Sequence, residues 1–600
     1  MTIPQLFDES VASIPRTAAL TAWRPGFDRN LSTDDLKRQV ARLSAGLQAL
    51  GMKAGDRVLL LSENRPEWAI IDYATQFAGG ILVPVYVSLT PHQLHYILDN
   101  SGARFAVASS QALLDRLLTA VHDLPNLTQV MVIDQDAAAE DVMHLESVCA
   151  MGDDLLRVSP GAWRQPAARL HEDDVATIIY TSGTTGPPKG VMLTHGNLTA
   201  NVNTLTEVLD FQPEDTALSF LPLCHVTQRL ADYCYFKRGS RIVYVALEHV
   251  AAALTQVRPT TFPGVPRVLE KARDAVLTRG QSGPAPRRAL FRWALSTGRK
   301  MAQARLEGRA PGLWLKARHV VADALVLSKV RRGMGGRLRY VVCGGAALPP
   351  EVTWFFLSVG LPVLEGYGLT ETTVLTINRH DGIVPGTVGP PLPGTDLSIC
   401  EDGEIVATGP GVARGYYRDV ARTERDFPRE GSFRTGDLGR FDSGGRLVIT
   451  GRKKELLVTS GGKKVPPYGI EHTLVQDDLI VQAVLVGDGR RFISALIVPD
   501  RPRVLERCRS MGLDAPEGLD GAPYAALLAR PEVRSLFDRI VTDCNRELSR
   551  FEQIKKFVLL PMEFSIDGGE LTPTLKIRRQ AVEEKYRHLI EPLYLEALEV

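Results

Sequence analysis

Residues 180–195 read YTSGTTGPPKGVMLTH: four threonines, one serine, three glycines, a proline pair and one lysine. They follow a β-like run, Thr177-Ile178-Ile179-Tyr180. A loop of this make-up suits a polyanion. Gly183 and Gly186 let the backbone come close to a ligand. The hydroxyls of Thr181, Ser182, Thr184 and Thr185 donate hydrogen bonds, and Lys189 brings a full positive charge. The pattern is not a Walker A loop, which needs G-x-x-x-x-G-K-[ST]. Here Lys189 follows Pro187-Pro188 and precedes Gly190. A solvated linker would need neither the lysine nor the flanking strand, so the stretch reads as a phosphate loop of another kind.

The rest of the chain narrows the class. At 600 residues it exceeds the size at which one core keeps growing, and two or more domains are expected. A hydrophobic share of 44% with 23% charged residues is that of an ordinary globular protein. A net charge of +1, from 70 Lys+Arg against 69 Asp+Glu, argues against a nucleic-acid footprint. The seven cysteines form no CxxC and read as reduced thiols of a cytoplasmic enzyme. The start, MTIPQLFDESVASIP, has no basic region or apolar core of a signal peptide, and no run approaches the ~18 apolar residues of a membrane span.

The periodicity predicts an α/β fold. A helix over 32–50 places Leu36, Val40, Leu43, Leu47 and Leu50 at helical spacing behind capping-type Ser32, Thr33 and Asp35, and Gly51 ends it. Strands are expected at 57–61, 81–85, 105–108, 130–133, 241–245 and 338–343, with helix-like runs such as 67–78 between several of them. That alternation implies parallel or mixed sheets covered by helices. Beyond residue 450, a β-hairpin over 481–486 and 492–498 turns at Gly487-Asp488-Gly489. The simplest parse is a large N-terminal domain, 1–450, and a small mobile α+β C-terminal domain, 451–600. The large domain carries a basic helical segment over 275–335. Within it, residues 287–318 hold nine Lys/Arg against one acid, Glu307, interleaved with Phe291, Trp293, Leu313 and Trp314. The segment reads either as a surface helical hairpin with a solvated basic face or as a peripheral contact with an anionic membrane.

Further candidates follow the loop in order. FLPLCHVTQR holds His225, and VVCGGAALPP holds Gly344, Gly345 and Ala346 at a strand end, where bare backbone could face a flat purine or simply turn. Glu365 precedes GYGLTE, in which Tyr367 offers a stacking face, Thr370 a hydroxyl and Glu371 a hard oxygen suited to Mg²⁺. GEIVATGPGVARGYY (403–417) reads as scaffold. FRTGD ends in Asp437, able to accept from both hydroxyls of a ribose or to sit in an exposed turn. GRKKELLVTSGGKKVPPYGIE (451–471) and ELTPTLKIRR (570–579) close the series.

This series resembles the AMP-forming adenylating enzymes, and covers essentially the whole chain. The resemblance implies that Thr181, Ser182, Gly183, Thr184, Thr185, Gly186 and Lys189 hold the β- and γ-phosphates of ATP. It places Gly344, Gly345, Ala346, Glu365, Gly366, Tyr367 and Gly368 around the nucleotide, with Tyr367 by adenine and Thr370 by the phosphate and carboxylate. Thr184 and Glu371 would attend Mg²⁺, and Asp437 and Arg452 the ribose. His225 would line the acyl site. Lys454 occupies the hinge position, Ser460, Gly461 and Gly462 the turn approaching the coenzyme A channel, and Lys576 the terminal lysine that reaches the carboxylate and α-phosphate. Thr574-Leu575-Lys576 departs from the commoner Ser-Gly-Lys and, with Ser460–Pro467 and FPGVPRVLEK (262–271), is similar to long-chain and bubblegum-type acyl-CoA synthetases. Arg229 stands where some relatives carry an aromatic gate. The expected partners are a long-chain fatty acid, ATP and coenzyme A. The alternatives are a fatty acyl-AMP ligase serving a carrier protein, which the lack of a carrier domain and of a long interdomain insertion disfavours, and a non-catalytic acyl-binding protein on membranes.

Overall fold

The computed structural model describes residues 1–181, 187–516, 518–565, 567–571 and 577–595. The chain divides into two units, Met1–Ser398 with Val406–Thr435 and Ser443–Leu447, and Ile399–Ile405 with Gly436–Asp442 and Val448–Val600.

The larger unit is α/β. Its main sheet has eight strands in the order Gly415–Tyr416, Lys189–Thr194, Val175–Thr181, Ile81–Val85, Arg57–Leu61, Phe105–Ala108, Gln129–Val132, Val142–His144. The six strands from Val175–Thr181 onward run parallel, and the first two are antiparallel to their neighbours. Leu59, Leu60, Ala106 and Val107 are all buried, so side chains on both faces of these strands are covered, as a parallel sheet packed between helices requires. The Thr33–Ala49 helix shows how local sequence sets the cover. Ser32 accepts from the Asp35 N–H while the Asp35 carboxylate accepts from the Ser32 N–H, closing a capping box. Leu36, Val40, Leu43 and Leu47 then turn inward, and Gly51 follows the helix at φ +81°.

Two four-stranded sheets also lie wholly within the larger unit. One runs Thr216–Ser219, Arg241–Tyr244, Leu20–Arg24, Phe27–Leu31, and the other Pro263–Gly264, Val341–Cys343, Val363–Leu369, Thr373–Ile377. The expected 338–343 strand is thus shorter, at Val341–Cys343. Arg229 is a core residue, 1% exposed. Its guanidinium donates through Nε to Asp72 (2.9 Å) and pairs through a terminal nitrogen with the same carboxylate (2.5 Å), while Tyr233 Oη also donates to Asp72 (2.5 Å). All seven cysteines are free and all but Cys400 are buried.

The smaller unit is α+β. Strands Ile480–Val486 and Ile493–Pro499 pair antiparallel around the expected turn, and Ile554–Leu559 adds in parallel. The boundary does not fall at one point near 450. The chain changes unit inside the strands Glu404–Thr408 and Ser432–Phe441, so Asp437 belongs with residues after 448. Gly436, at φ +69°, sits at one of these crossings and supplies a backbone angle that a side-chain-bearing residue rarely adopts.

Candidate nucleotide site

The opening stretch is a β-hairpin. Tyr180 pairs with Gly190 and Thr181 with Lys189, so a rigid ladder closes the base of the loop. Ser182, Gly183, Thr184, Thr185 and Gly186 lie outside the described residues. Thr181 Oγ1 is buried and has no hydrogen-bond partner among the described residues. An unmade buried hydrogen bond costs ~1–3 kcal/mol, which a ligand oxygen at this position would recover.

Lys189 is the centre of a charged cluster. Its Nζ lies 2.5 Å from Glu371 Oε1 and donates to Tyr416 Oη at 2.6 Å. Tyr416 Oη in turn donates to Glu371 Oε1 (3.1 Å), with Asp426 Oδ2 at 3.4 Å. The ammonium also stands 4.4 Å from the centre of the Tyr416 ring. Burial, then the Glu371 and Asp426 carboxylates, push the Tyr416 phenol up, so it remains a donor. Sequence reasoning treats 403–417 as scaffold, and here the structure corrects it. Strand Gly415–Tyr416 pairs with Val191 and Met192, and the Ala413 N–H donates to the Glu371 carbonyl at 2.8 Å. Those two backbone ties bring Tyr416 between a lysine and a glutamate far away in sequence. The signal was present as an aromatic pair after a Gly-Pro-Gly turn, but a lone tyrosine in such a turn carries no chemistry of its own.

The second sheet assembles the other motif residues. Cys343 pairs with Glu365 in parallel, which sets Gly344-Gly345 beside Gly366. A Cβ on Gly344 would stand 3.2 Å from the Gly366 carbonyl, and one on Gly368 would strike the Thr373 carbonyl at 1.9 Å. Ala346 is exposed, Tyr367 half-buried, and Thr370 and Glu371 buried. Thr373 holds φ +55°, a costly angle for a β-branched residue, two positions after Glu371. Glu365 is buried with its Oε1 accepting from Thr353 Oγ1 at 2.8 Å, and burial pushes its carboxyl up to about 8.

His225 begins the Val226–Lys237 helix, where its Nδ1 accepts from the Thr227 N–H at 3.2 Å. The turn before it is held by Asn64, which donates to the Leu221 carbonyl (2.7 Å) and accepts from the Leu223 N–H (3.0 Å). Nothing in the sequence links Asn64 to this turn.

In the smaller unit, Arg452 Nε lies 2.8 Å from the buried Asp437 carboxylate. Lys453 pairs with Asp402 (2.7 Å) and Glu404 (2.9 Å), and Lys454 follows, exposed, in the one-turn helix Lys453–Glu455. Ser460, Gly461 and Gly462 form the exposed turn between Leu457–Val458 and Lys464–Val465, with Gly462 at φ +73°. Lys576 lies outside the described residues. On either side of that segment Leu571 and Ile577 pair as a bridge, and Arg579 is anchored on Glu471 at 2.7 Å.

Glu371 offers hard carboxylate oxygens already compensated by a cation, a donor set that fits Mg²⁺. Among the described residues no three His, Cys, Asp or Glu side chains converge as a metal site; Mg²⁺ in nucleotide sites is typically held by one or two carboxylates with phosphates and waters. Thr184, the other expected contributor, is outside the described residues.

Together the fold and these motif positions define the adenylate-forming class. Residues 7–417 match the AMP-binding enzyme family and residues 454–510 the AMP-binding enzyme C-terminal domain. The chain belongs to the AMP-binding enzyme family. It is 36% identical over 563 residues to the long-chain-fatty-acid–CoA ligase FadD15 of Mycobacterium bovis, covering 93% of this chain and 91% of the relative. It is 30% identical to the long-chain-fatty-acid–CoA ligase ACSBG2 of Xenopus laevis, over 100% of this chain and 84% of that one. In fold it is similar to the crystal structure of the anthranilate CoA ligase AuaEII in complex with anthranoyl-AMP (TM-score 0.74, 18% identity, 98% of each chain). ATP-bound MatB from Rhodopseudomonas palustris shares the fold with TM-score 0.71 and 23% identity, over 98% of this chain and 100% of that one.

Proposed function

We propose that the protein is a long-chain fatty acid–CoA ligase. A carboxylate oxygen attacks the α-phosphorus of ATP, the bond to the β-phosphate oxygen breaks, and acyl-AMP and pyrophosphate form. The thiol of coenzyme A then attacks the acyl carbon and AMP leaves. The observation that carries this reading is the Lys189–Tyr416–Glu371 cluster at the base of the 180–195 hairpin, in a chain whose relatives bear that activity in their names.

Two anions must meet, so positioning and cations dominate the barrier. Lys189 moves from Glu371 to the β- and γ-phosphates, helped by the loop hydroxyls. Magnesium held by Glu371 and Thr184 would neutralise phosphate charge. Tyr416 keeps a hydrogen bond to each partner while the ion pair opens. Asp437 and Arg452 hold the ribose, and Gly344, Gly345 and Gly366 leave backbone open to the purine. His225 lines the acyl side, with Asn64 fixing its turn. Lys454 and the Ser460–Gly462 turn serve the thioester step. Each buried methylene contributes ~0.8 kcal/mol, which favours long chains strongly but separates neighbouring lengths by only ~1–3 kcal/mol.

The test is pyrophosphate and AMP release with acids from acetate to stearate, with and without coenzyme A. Release peaking on long chains, with AMP release requiring free coenzyme A, is expected. A peak on short or aromatic acids overturns the substrate, and AMP release without coenzyme A but with a carrier protein favours the acyl-AMP ligase.

Tyr416→Phe keeps the ring and removes the hydroxyl that bridges two charges. A hydrogen bond to a charged group contributes ~1.5–3 kcal/mol, so kcat/KM for ATP is expected to fall about tenfold or more. Steady-state pyrophosphate release with ATP varied measures it, and a change below about twofold would show the hydroxyl idle.

A further inference from the structure

The helical segment before strand Val341–Cys343 carries an apolar face turned to solvent. Helix Ala285–Leu306 behaves as a covering helix should, with Phe291, Ala294, Met301 and Ala302 buried and its arginines outside. Helix Leu313–Ala322 inverts that pattern. Leu313 is 86% exposed, Trp314 70%, Val320 66% and Val321 50%, while Ala322 is buried; Leu325, at 44%, extends the face into the π-helical turn Asp323–Leu327. At about 100° per residue, positions 313, 314, 317, 320 and 321 fall within an arc of about 120°, with residue 316 beyond one edge and residue 318 beyond the other.

Those edge residues are Lys316 and Arg318, and residues 313–322 contain no acid. Arg318 stacks on Trp314, 4.4 Å from its ring centre, and stands 5.6 Å from that of Trp293. Behind the helix lies a groove of about 540 Å³ with Met301, Ala302, Val320 and Leu357 in its wall and Arg305 beside them. Arg331, also in the wall, is spent on Asp323 (2.7 Å) and the Val359 carbonyl (2.8 Å). Arg305 has no carboxylate partner among the described residues.

An exposed apolar stripe marks a contact surface. Cations along both edges, no acid, and a tryptophan on the stripe match an anionic lipid surface, where the apolar face enters the headgroup–acyl boundary and the cations meet phosphates. No helix among the described residues is long and apolar enough to cross a membrane, so the contact is lateral. We propose that helix Leu313–Ala322 and the turn after it lie in the surface of an anionic bilayer. Lys316 and Arg318 meet lipid phosphates at the edges of the stripe, and Arg305 takes one more in the groove. The inference rests on the proposed substrate only in that long-chain acids partition into bilayers. It moves the membrane contact from the basic hairpin as a whole to one face of one helix.

The test is co-sedimentation of the full chain with phosphatidylcholine vesicles, with and without phosphatidylglycerol, over a range of salt. Binding to the phosphatidylglycerol vesicles, weakening as salt rises, with a blue shift of tryptophan emission that a Trp314→Tyr variant diminishes, is expected. The double variant Leu313→Ser/Val321→Ser should lose about tenfold or more of this partitioning. Arg305→Gln should lose about fivefold on anionic vesicles alone. Equal binding to both vesicle types, or variants that sediment like the parent, overturns the proposal. So does self-association of the chain that the double variant abolishes while vesicles are ignored. Pyrophosphate release with a soluble medium-chain acid and no vesicles is expected unchanged in every variant. Its absence in the parent would count against the ligase reading and not against the membrane face.

Discussion

Lys576→Ala is expected to lose acyl-adenylate formation by at least about a hundredfold, the scale of removing one preorganised charge-stabilising group from a polar transition state, while still converting supplied acyl-AMP and coenzyme A to the thioester. The half-reactions differ in what they ask of a cation. In the first, a carboxylate approaches a phosphorus already ringed by anionic oxygens, and a lysine near both lowers the repulsion. In the second, a thiol attacks an acyl carbon and AMP departs, with no second anion to bring in. Lys189 is not expected to stand in, because its pairing with Thr181 and that of Gly190 with Tyr180 fix its strand at the base of the 180–195 hairpin. The anchors beside residue 576, the Leu571–Ile577 bridge and the Arg579–Glu471 pair, do not involve its side chain, so the substitution leaves them intact. Pyrophosphate release reports the first step, and coenzyme A consumption with supplied acyl-AMP the second. Equal loss of both would remove the assignment.

What the sequence made legible follows from how local each feature is. The Thr33–Ala49 helix rests on a capping box and a 3.6-residue apolar period contained in its own residues. Five of the six parallel strands of the main sheet were legible as short apolar runs, the edge strand Val142–His144 not, and the chain's AMP-binding family was legible through motifs that each occupy a few consecutive residues. Tyr416 was not legible, because its role depends on an edge strand of two residues docking on Val191 and Met192. Nor was the turn of Glu365 onto Thr353, since burial of one side of a strand end is decided by the helix packed on it. Nor was the course of the chain between the two units legible: composition changes near 450, whereas the chain changes unit within the strands Asp396–Ile399, Glu404–Thr408, Ser432–Phe441 and Leu447–Arg452. The exposed stripe of Leu313, Trp314 and Val321 reads in sequence like any amphipathic helix, and only packing shows which face is outside.

Arg229 shows the limit most sharply, and its pair with Asp72 carries the largest expected effect on stability. The guanidinium is enclosed, with Trp68 and Tyr233 rings each 5.6 Å from it, and one terminal nitrogen has no partner among the described residues. A buried pair of this kind is held by mutual compensation, and removing one member leaves a charge in a low-dielectric interior. Asp72→Asn is therefore expected to destabilise the larger unit by about 3–5 kcal/mol. Tyr233, which donates to the same carboxylate at 2.5 Å, also loses its charged acceptor. Replacing both charges at once, Asp72→Leu with Arg229→Met, leaves neither uncompensated and should recover most of that loss, since apolar groups of similar size often match a buried ion pair. The shift of the larger unit's urea transition, followed by tryptophan fluorescence, measures both. A single variant as stable as the parent would mean that the pair is wet or relaxed. A double variant no better than the single would mean that the site needs its polarity, for Tyr233 or for a water at the unpaired nitrogen, and not merely its charge balance.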